Sequence, residues 1–78
     1  MNRYYFDLVV DGKVARDEEG LLLAGPAEAR REASVSLAEL AREEFRINSP
    51  VSRMAILVRT VEGPTCEATF QWQSKSLQ

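Results

Sequence analysis

Histidine is absent from this sequence of 78 residues, and cysteine occurs once, as Cys66. Without histidine the chain lacks the commonest general base, the usual serine triad and most zinc sites. One cysteine cannot form a disulfide within a single chain, and a lone thiol suits a reducing compartment. We therefore expect a cytoplasmic protein, and the sequence predicts no catalytic residue, no metal ligand and no cofactor.

Long apolar runs are missing as well. Asp7 interrupts the apolar start of the chain and no small-residue cleavage site follows, so no signal peptide is predicted. No run approaches the length that crosses a membrane. The 12 acidic and 10 basic residues are spread along the chain and give a net charge of −2. This balance argues against nucleic acid as a partner, because such binders rely on neutralising phosphates.

What the sequence does contain is typical of one small globular domain covering residues 1–78. Hydrophobic residues make up 45% and charged residues 28%, which is an ordinary globular balance. In a chain this short, the gain from apolar burial barely exceeds the entropy lost on folding, unless a disulfide, a metal or a partner subunit adds to it. We therefore expect a partner to contribute to stability.

The first 23 residues predict a hairpin followed by a short extended segment. Residues 3–10 alternate as a strand, with Tyr4, Phe6, Leu8 and Val10 on one face and Tyr5, Asp7 and Val9 on the other. Asp11-Gly12 predicts a type I′ turn, which places Val9 opposite Val14 and Asp7 opposite Arg16. A second turn is predicted at 18–20 and an extended segment at 21–23.

A long helix and a second hairpin are predicted for the rest of the chain. Proline at position 26 fits the first turn of a helix that runs to about Arg46, and Asn48-Ser49-Pro50 ends it. The predicted stripe that faces the sheet comprises Ala29, Ala33, Leu37, Leu40 and Ala41, and Phe45 extends its edge. Residues 53–61 form a strand with Met54, Ile56 and Val58 on one face and Ala55, Leu57 and Val61 on the other. After a turn at 62–64, residues 65–73 alternate with Cys66, Ala68, Phe70 and Trp72 inward, and 74–78 is predicted as a frayed tail.

These elements together predict an α+β fold. It consists of a small, mostly antiparallel sheet of four to five strands (β-hairpin, short strand, helix, β-hairpin), with the one long helix on one face. The first strand of the second hairpin is expected beside the first strand of the chain.

Three features could carry chemistry, and each has a structural alternative that we favour. Cys66 could be a nucleophile, but it is in phase with Phe70 and lacks a histidine, so a core thiol is the better interpretation. The acids at 11, 17, 18 and 19 could bind a hard cation, but they lack the spacing of a calcium loop and are typical of solvated turns. The arginines at 30, 31, 42 and 46 could face phosphate, but acids interleave with them at helical spacing, which is typical of a mixed-charge solvent surface.

The segments Arg3-Tyr4-Tyr5-Phe6-Asp7, Asp11-Gly12 and Asp17-Glu18-Glu19-Gly20, followed by an Ala-rich helix, resemble a family of short bacterial proteins catalogued as a domain of unknown function. The resemblance covers nearly the whole chain, and it implies no activity and no site residue. More weakly, the strand, Asp-Gly hairpin, short strand and helix resemble the N-terminal domain of HicB-type antitoxins, a partial ribonuclease-H-like fold that binds a toxin partner. That second resemblance serves as an analogy of topology.

The functional prediction is a non-catalytic interaction module that acts as a homodimer or as the partner of another protein. If the helix covers one sheet face, strand alternation places several apolar side chains on the other. The candidate interface is Tyr5, Val9, Val14, Ala55, Leu57 and Val61. The alternative is a small-ligand-binding protein or an enzyme without a recognisable catalytic motif.

Overall fold

A computed structural model describes residues 1–78, which form one sheet and one helix. The elements in chain order are β1 (Asn2–Val10), β2 (Lys13–Ala15), β3 (Leu21–Leu23), α1 (Pro26–Arg46), β4 (Arg53–Thr60) and β5 (Gly63–Gln71). The order across the sheet is β2-β1-β4-β5, β3 also pairs with β1, and every pair of neighbours is antiparallel. The predicted α+β fold, with β4 beside β1, is therefore confirmed.

The hairpin of β1 and β2 is built on the predicted turn. Asp11 and Gly12 both have positive φ, +45° and +85°, as a type I′ turn requires. Val9 lies opposite Val14, also as predicted, but the ladder stops at the pair of Leu8 and Ala15. The predicted pair of Asp7 with Arg16 therefore does not form within it.

Two short strands share the outer edge of β1. β2 pairs with the last three residues of β1, and β3 pairs with Asn2, Arg3 and Tyr4 at its beginning. Between them the chain leaves the edge at residues 16–20 and returns to it at β3. The middle of β1 therefore has no strand on this side, and its backbone must find other partners.

The helix begins and ends where the sequence predicted. Pro26 occupies the first turn, where its missing N–H costs no hydrogen bond. At the other end Asn48 takes the left-handed conformation, with φ +54°. The buried stripe consists of Ala29, Ala33, Leu37 and Ala41. Leu40, predicted within the stripe, is 37% exposed and lies at its border, and Phe45, predicted at its edge, is 52% exposed. α1 carries too many charged side chains to be apolar enough to span a bilayer.

The core is a thin layer between α1 and the sheet. α1 lies over β4 and β5 and buries Met54, Ile56 and Val58 from β4, together with Tyr4 from β1. The inward side chains at the rest of β1 and along β5 are only partly buried: Phe6, Leu8, Val10, Cys66, Ala68 and Phe70. Only 10 of the 78 residues are buried, so single backbone positions have a large effect on stability.

Gly12→Val is expected to lower the free energy of unfolding by about 1–3 kcal/mol, because a β-branched residue at positive φ is strained. No atom lies within 4 Å of the place where a Cβ would be added, so the loss would come from the backbone conformation alone. Gly12→Asn is the matched control, since asparagine tolerates positive φ, and it should keep most of the stability. Urea unfolding measures both, and equal stabilities for the two variants would contradict the turn assignment.

Candidate functional site

The sheet face opposite α1 has no helix over it, and we refer to it as the open face. Its residues, from opposed positions on neighbouring strands, are Tyr5, Asp7, Val9, Val14, Ala55, Leu57, Arg59, Glu67 and Thr69. Five of the six residues of the candidate interface lie here. The sixth, Val61, lies in the β4–β5 turn and is 89% exposed, so the structure does not bring it into the same surface.

A row of small and apolar side chains crosses the open face. Each residue of the row lies directly opposite the next one on the neighbouring strand, from β2 through β1 and β4 to β5: Val14, Val9, Ala55 and Thr69. Val14 is 66% exposed, Val9 is half-buried, and Ala55 is 3% exposed although no helix covers it. Ala55 is small enough to be shielded by its longer neighbours, so the apolar area that remains accessible comes from the side chains around it.

An ion pair lies beside this row. Arg59 on β4 donates from Nε to Asp7 Oδ2 at 2.7 Å and from Nη2 to Asp7 Oδ1 at 3.3 Å. The Asp7 side chain is 4% exposed and that of Arg59 17%. The guanidinium carbon of Arg59 also lies 4.5 Å from the centre of the Tyr5 ring, within the range of a cation–π contact. A fork of two donors and a stacked ring therefore hold Arg59 in place.

Asp17 extends this pair into a network that fills the gap between β2 and β3. Its N–H donates to Asp7 Oδ1 at 2.8 Å, and its carbonyl accepts from Arg59 Nη2 at 2.8 Å. Its carboxylate accepts the N–H of Phe6 at 3.1 Å, which replaces a strand partner for the middle of β1. We refer to Asp7, Asp17 and Arg59 as the acid–arginine network. Every buried side-chain nitrogen and oxygen has a hydrogen-bond partner.

The return of the chain to β3 depends on Gly20. The N–H groups of Glu19 and Gly20 donate to Asp17 Oδ1 at 3.0 and 3.1 Å. Gly20 has φ +71°, and a Cβ there would lie 2.7 Å from the Tyr4 carbonyl oxygen. A side chain would therefore clash with the β1 backbone as well as strain its own.

The network holds both carboxyls in their ionised form. Burial acts to raise the pKa of Asp7, but hydrogen bonds from Arg59 and from the Asp17 N–H, with the positive charges of Arg59 and Arg16, outweigh it, so the pKa lies below 3.8. Burial likewise raises the pKa of Asp17, and three backbone N–H donors and Arg59 lower it further than burial raises it. Carboxylates held ionised in this way accept hydrogen bonds from backbone N–H groups, and they carry no proton that a general acid could donate.

The other residues singled out from the sequence are spread around the molecule. Cys66 faces the helix side and is half-buried against the core, beside a shallow cleft of about 270 Å³ that Arg30 and Thr65 also line. Asp11 accepts the Arg53 N–H at 3.2 Å, and no three acidic or cysteine side chains converge as a metal site would require. Arg46 pairs with Glu43 along the helix surface.

The sequence interpretation missed the role of Arg59. It paired Asp7 with Arg16 because the hairpin register places them opposite each other, and Arg16 does add a favourable charge. Arg59 reaches Asp7 from a diagonal position. The β1 residue directly opposite Arg59 is Tyr5, and the β4 residue directly opposite Asp7 is Leu57. The available signal was an arginine on the same face as an aspartate of the neighbouring strand, which identifies a partner only once the register is known.

Asp7→Asn is expected to lower the free energy of unfolding by about 2–3 kcal/mol, because the amide NH2 that replaces one carboxylate oxygen would face a donor of Arg59 or of the Asp17 backbone, and the Arg59 guanidinium would lose its counter-charge. Glu43→Gln is the matched control, since it removes the same charge from a solvent-exposed ion pair and should change stability little. Urea unfolding of both variants at pH 7 makes the comparison. A loss for Asp7→Asn no larger than for Glu43→Gln would show that the network does not stabilise the fold.

Stability should also depend on pH through these two carboxyls. Their pKa values are lower in the folded chain than the ordinary value of 3.8, so their contribution is complete above the pKa of the unfolded chain. It is lost as the pH falls through the lower, folded-state pKa. Unfolding free energies measured from pH 6 downward should therefore fall more steeply below about pH 4 for the wild type than for Asp7→Asn. Parallel curves would contradict the assignment.

Comparison with known proteins connects this geometry to a family. The model of the family described as Domain of unknown function (DUF6894) matches residues 3–71. Neither the curated proteins nor the solved structures contain a match, and the similarity to HicB-type antitoxins is not shown by these comparisons. The match runs from β1, through the acid–arginine network, to the end of β5, and the chain therefore belongs to this family of unknown function.

Proposed function

We propose that this protein is a non-catalytic interaction module, acting as a homodimer or as the partner subunit of another protein, with the open face as its contact surface. The observation that carries the proposal is a group of partly or largely accessible apolar side chains on the open face, which has no covering layer: Tyr5, Val9, Val14 and Leu57. An exposed apolar patch with a polar surround is typical of a protein–protein contact.

The rigidity of the open face supports the same function. The acid–arginine network fixes the centre of the face to the backbone of residues 16–20, so little side-chain order has to be gained on binding. Tyr5 and Arg59, stacked on each other, are of the residue types that contribute most at protein contacts. The thin core adds a thermodynamic reason, because a bound partner stabilises the fold by mass action.

A cytoplasmic location belongs to this proposal. It is supported by the single cysteine, Cys66, which is free and half-buried and which a reducing compartment would keep as a thiol.

Leu57→Glu is expected to abolish association through the open face, because it places a charge in the middle of that face, at a cost to the isolated chain of about 1 kcal/mol. Val61→Glu is the matched control: it makes the same kind of change in the exposed turn and should leave association intact. Light scattering after size exclusion at about 50 µM reports self-association. Quantitative affinity capture from native cells with each variant reports partner binding.

Two results would contradict the proposal. One is that Leu57→Glu retains the same oligomeric state and the same captured proteins as the wild type. The other is that Val61→Glu loses association as completely as Leu57→Glu, because the contact would then not be confined to the open face.

A further inference from the structure

The two edges of the sheet are built differently. The edge beyond β1 is divided into two strands of three residues each, and residues 16–20 cover the gap between them. Short strands and a covering loop are the usual means of preventing a sheet edge from pairing with another chain. β5 forms the other edge, and its nine residues have no strand beyond them.

The backbone of β5 has free groups along this edge. The Trp72 N–H donates inward to the Ser52 carbonyl at 3.1 Å, so in an antiparallel ladder the even-numbered residues near it face β4. Thr69 and Gln71, and Glu67 before them, therefore direct N–H and C=O groups outward. Two features that hinder edge pairing, Pro64 and the unpaired Thr65 at the register shift opposite Val58/Arg59, lie at the beginning of β5. From Cys66 to Gln71 the edge contains no proline, no lysine and no register shift, so this part of β5 is open to an added strand.

We infer that a second copy of this chain adds to the β5 edge, antiparallel and centred on Phe70, to form a continuous ten-stranded sheet. This inference uses the outward backbone groups of β5, whereas the open face makes contact through side chains; Glu67 and Thr69 contribute to both surfaces, so the side-chain control Thr69→Val is needed. The register places Phe70 opposite Phe70 of the second copy and Thr69 opposite Gln71, which are the outward-facing residues that exchange hydrogen bonds. It also places Glu67 opposite Gln73, so no like charges meet.

The aromatic side chains at this edge favour a second copy over an unrelated strand. Phe45, Phe70 and Trp72 form a cluster with ring centres 4.6 to 6.0 Å apart, and Phe45 is 52% exposed. A twofold axis at Phe70 brings this cluster against its own copy on the helix side, because opposed side chains at non-hydrogen-bonded positions are the closest in an antiparallel pair. A register centred on Glu67 would instead oppose two carboxylates.

The test is the oligomeric state of the full chain at about 100 µM by light scattering. The wild type is expected at twice the chain mass of 8.8 kDa. Thr69→Pro removes an N–H that only the second copy would use, and it should return the mass to 8.8 kDa with an unchanged circular dichroism spectrum. Thr69→Val keeps the N–H and should remain a dimer.

A second pair of variants tests the register and keeps the inference testable if Thr69→Pro does not fold. Gln73→Lys should tighten the dimer about three- to tenfold, because it creates two opposite-charge pairs with Glu67. Gln73→Glu should weaken it by a similar factor. Equal dissociation constants for the two variants would overturn the register.

The outcomes separate this inference from the proposed function. A monomeric wild type, or a folded Thr69→Pro that still dimerises, overturns the edge pairing. If Leu57→Glu dissociates the dimer and Thr69→Pro does not, the two copies associate through the open face. The proposed function is then supported, and the edge pairing is overturned. A dimer lost in Thr69→Pro and kept in both Thr69→Val and Leu57→Glu supports edge pairing whether or not the open face binds a partner.

Discussion

The interaction on which the rest of the sheet depends is the ion pair of Asp7 with Arg59. β1 is the central strand of the sheet, and its outer edge passes from β2 to β3 halfway along. Asp7 joins three segments at that point: it holds the Asp17 N–H of the connecting loop and the Arg59 side chain of β4. A buried ion pair by itself is weak evidence for stability. Here, however, an apolar replacement of the pair would leave the Asp17 N–H without an acceptor and the Asp17 carbonyl without the Arg59 donor, so the network specifies where the chain turns.

The fold could largely be predicted from the sequence because most of its elements are determined by residues close together in the chain. The alternation of β1, the Asp11-Gly12 turn and the helix ends at Pro26 and Asn48 each depend on a few neighbouring residues. The partner of Asp7 could not be predicted in the same way, because Arg59 is 52 residues away and the register of β1 with β4 determines which arginine reaches it. Charge and alternation indicate that a partner is needed; only the register identifies it.

The candidate interface shows the same division between local and long-range information. Alternation correctly placed Tyr5, Val9, Val14, Ala55 and Leu57 on one face. It failed at Val61, because β4 ends at Thr60 and the residue that continues the alternation is already in the turn. Ala55 shows a second limit, since its burial is set by longer side chains on the neighbouring strands and not by its position in β4.

The residues that carry the family resemblance can be explained by their role in the fold, without any role in catalysis or ligand binding. Asp7, Asp17 and Gly20 are required for the chain to leave the β1 edge after β2 and return to it at β3. A chain with the same opening is therefore expected to share this fold, and the fold by itself does not determine function. The side chains of Val14 and Leu57, and the outward backbone of β5, are not needed by the network, so they are free to differ between chains that share the fold. It follows that the side chains of β2, β4 and β5 can change while the architecture stays the same.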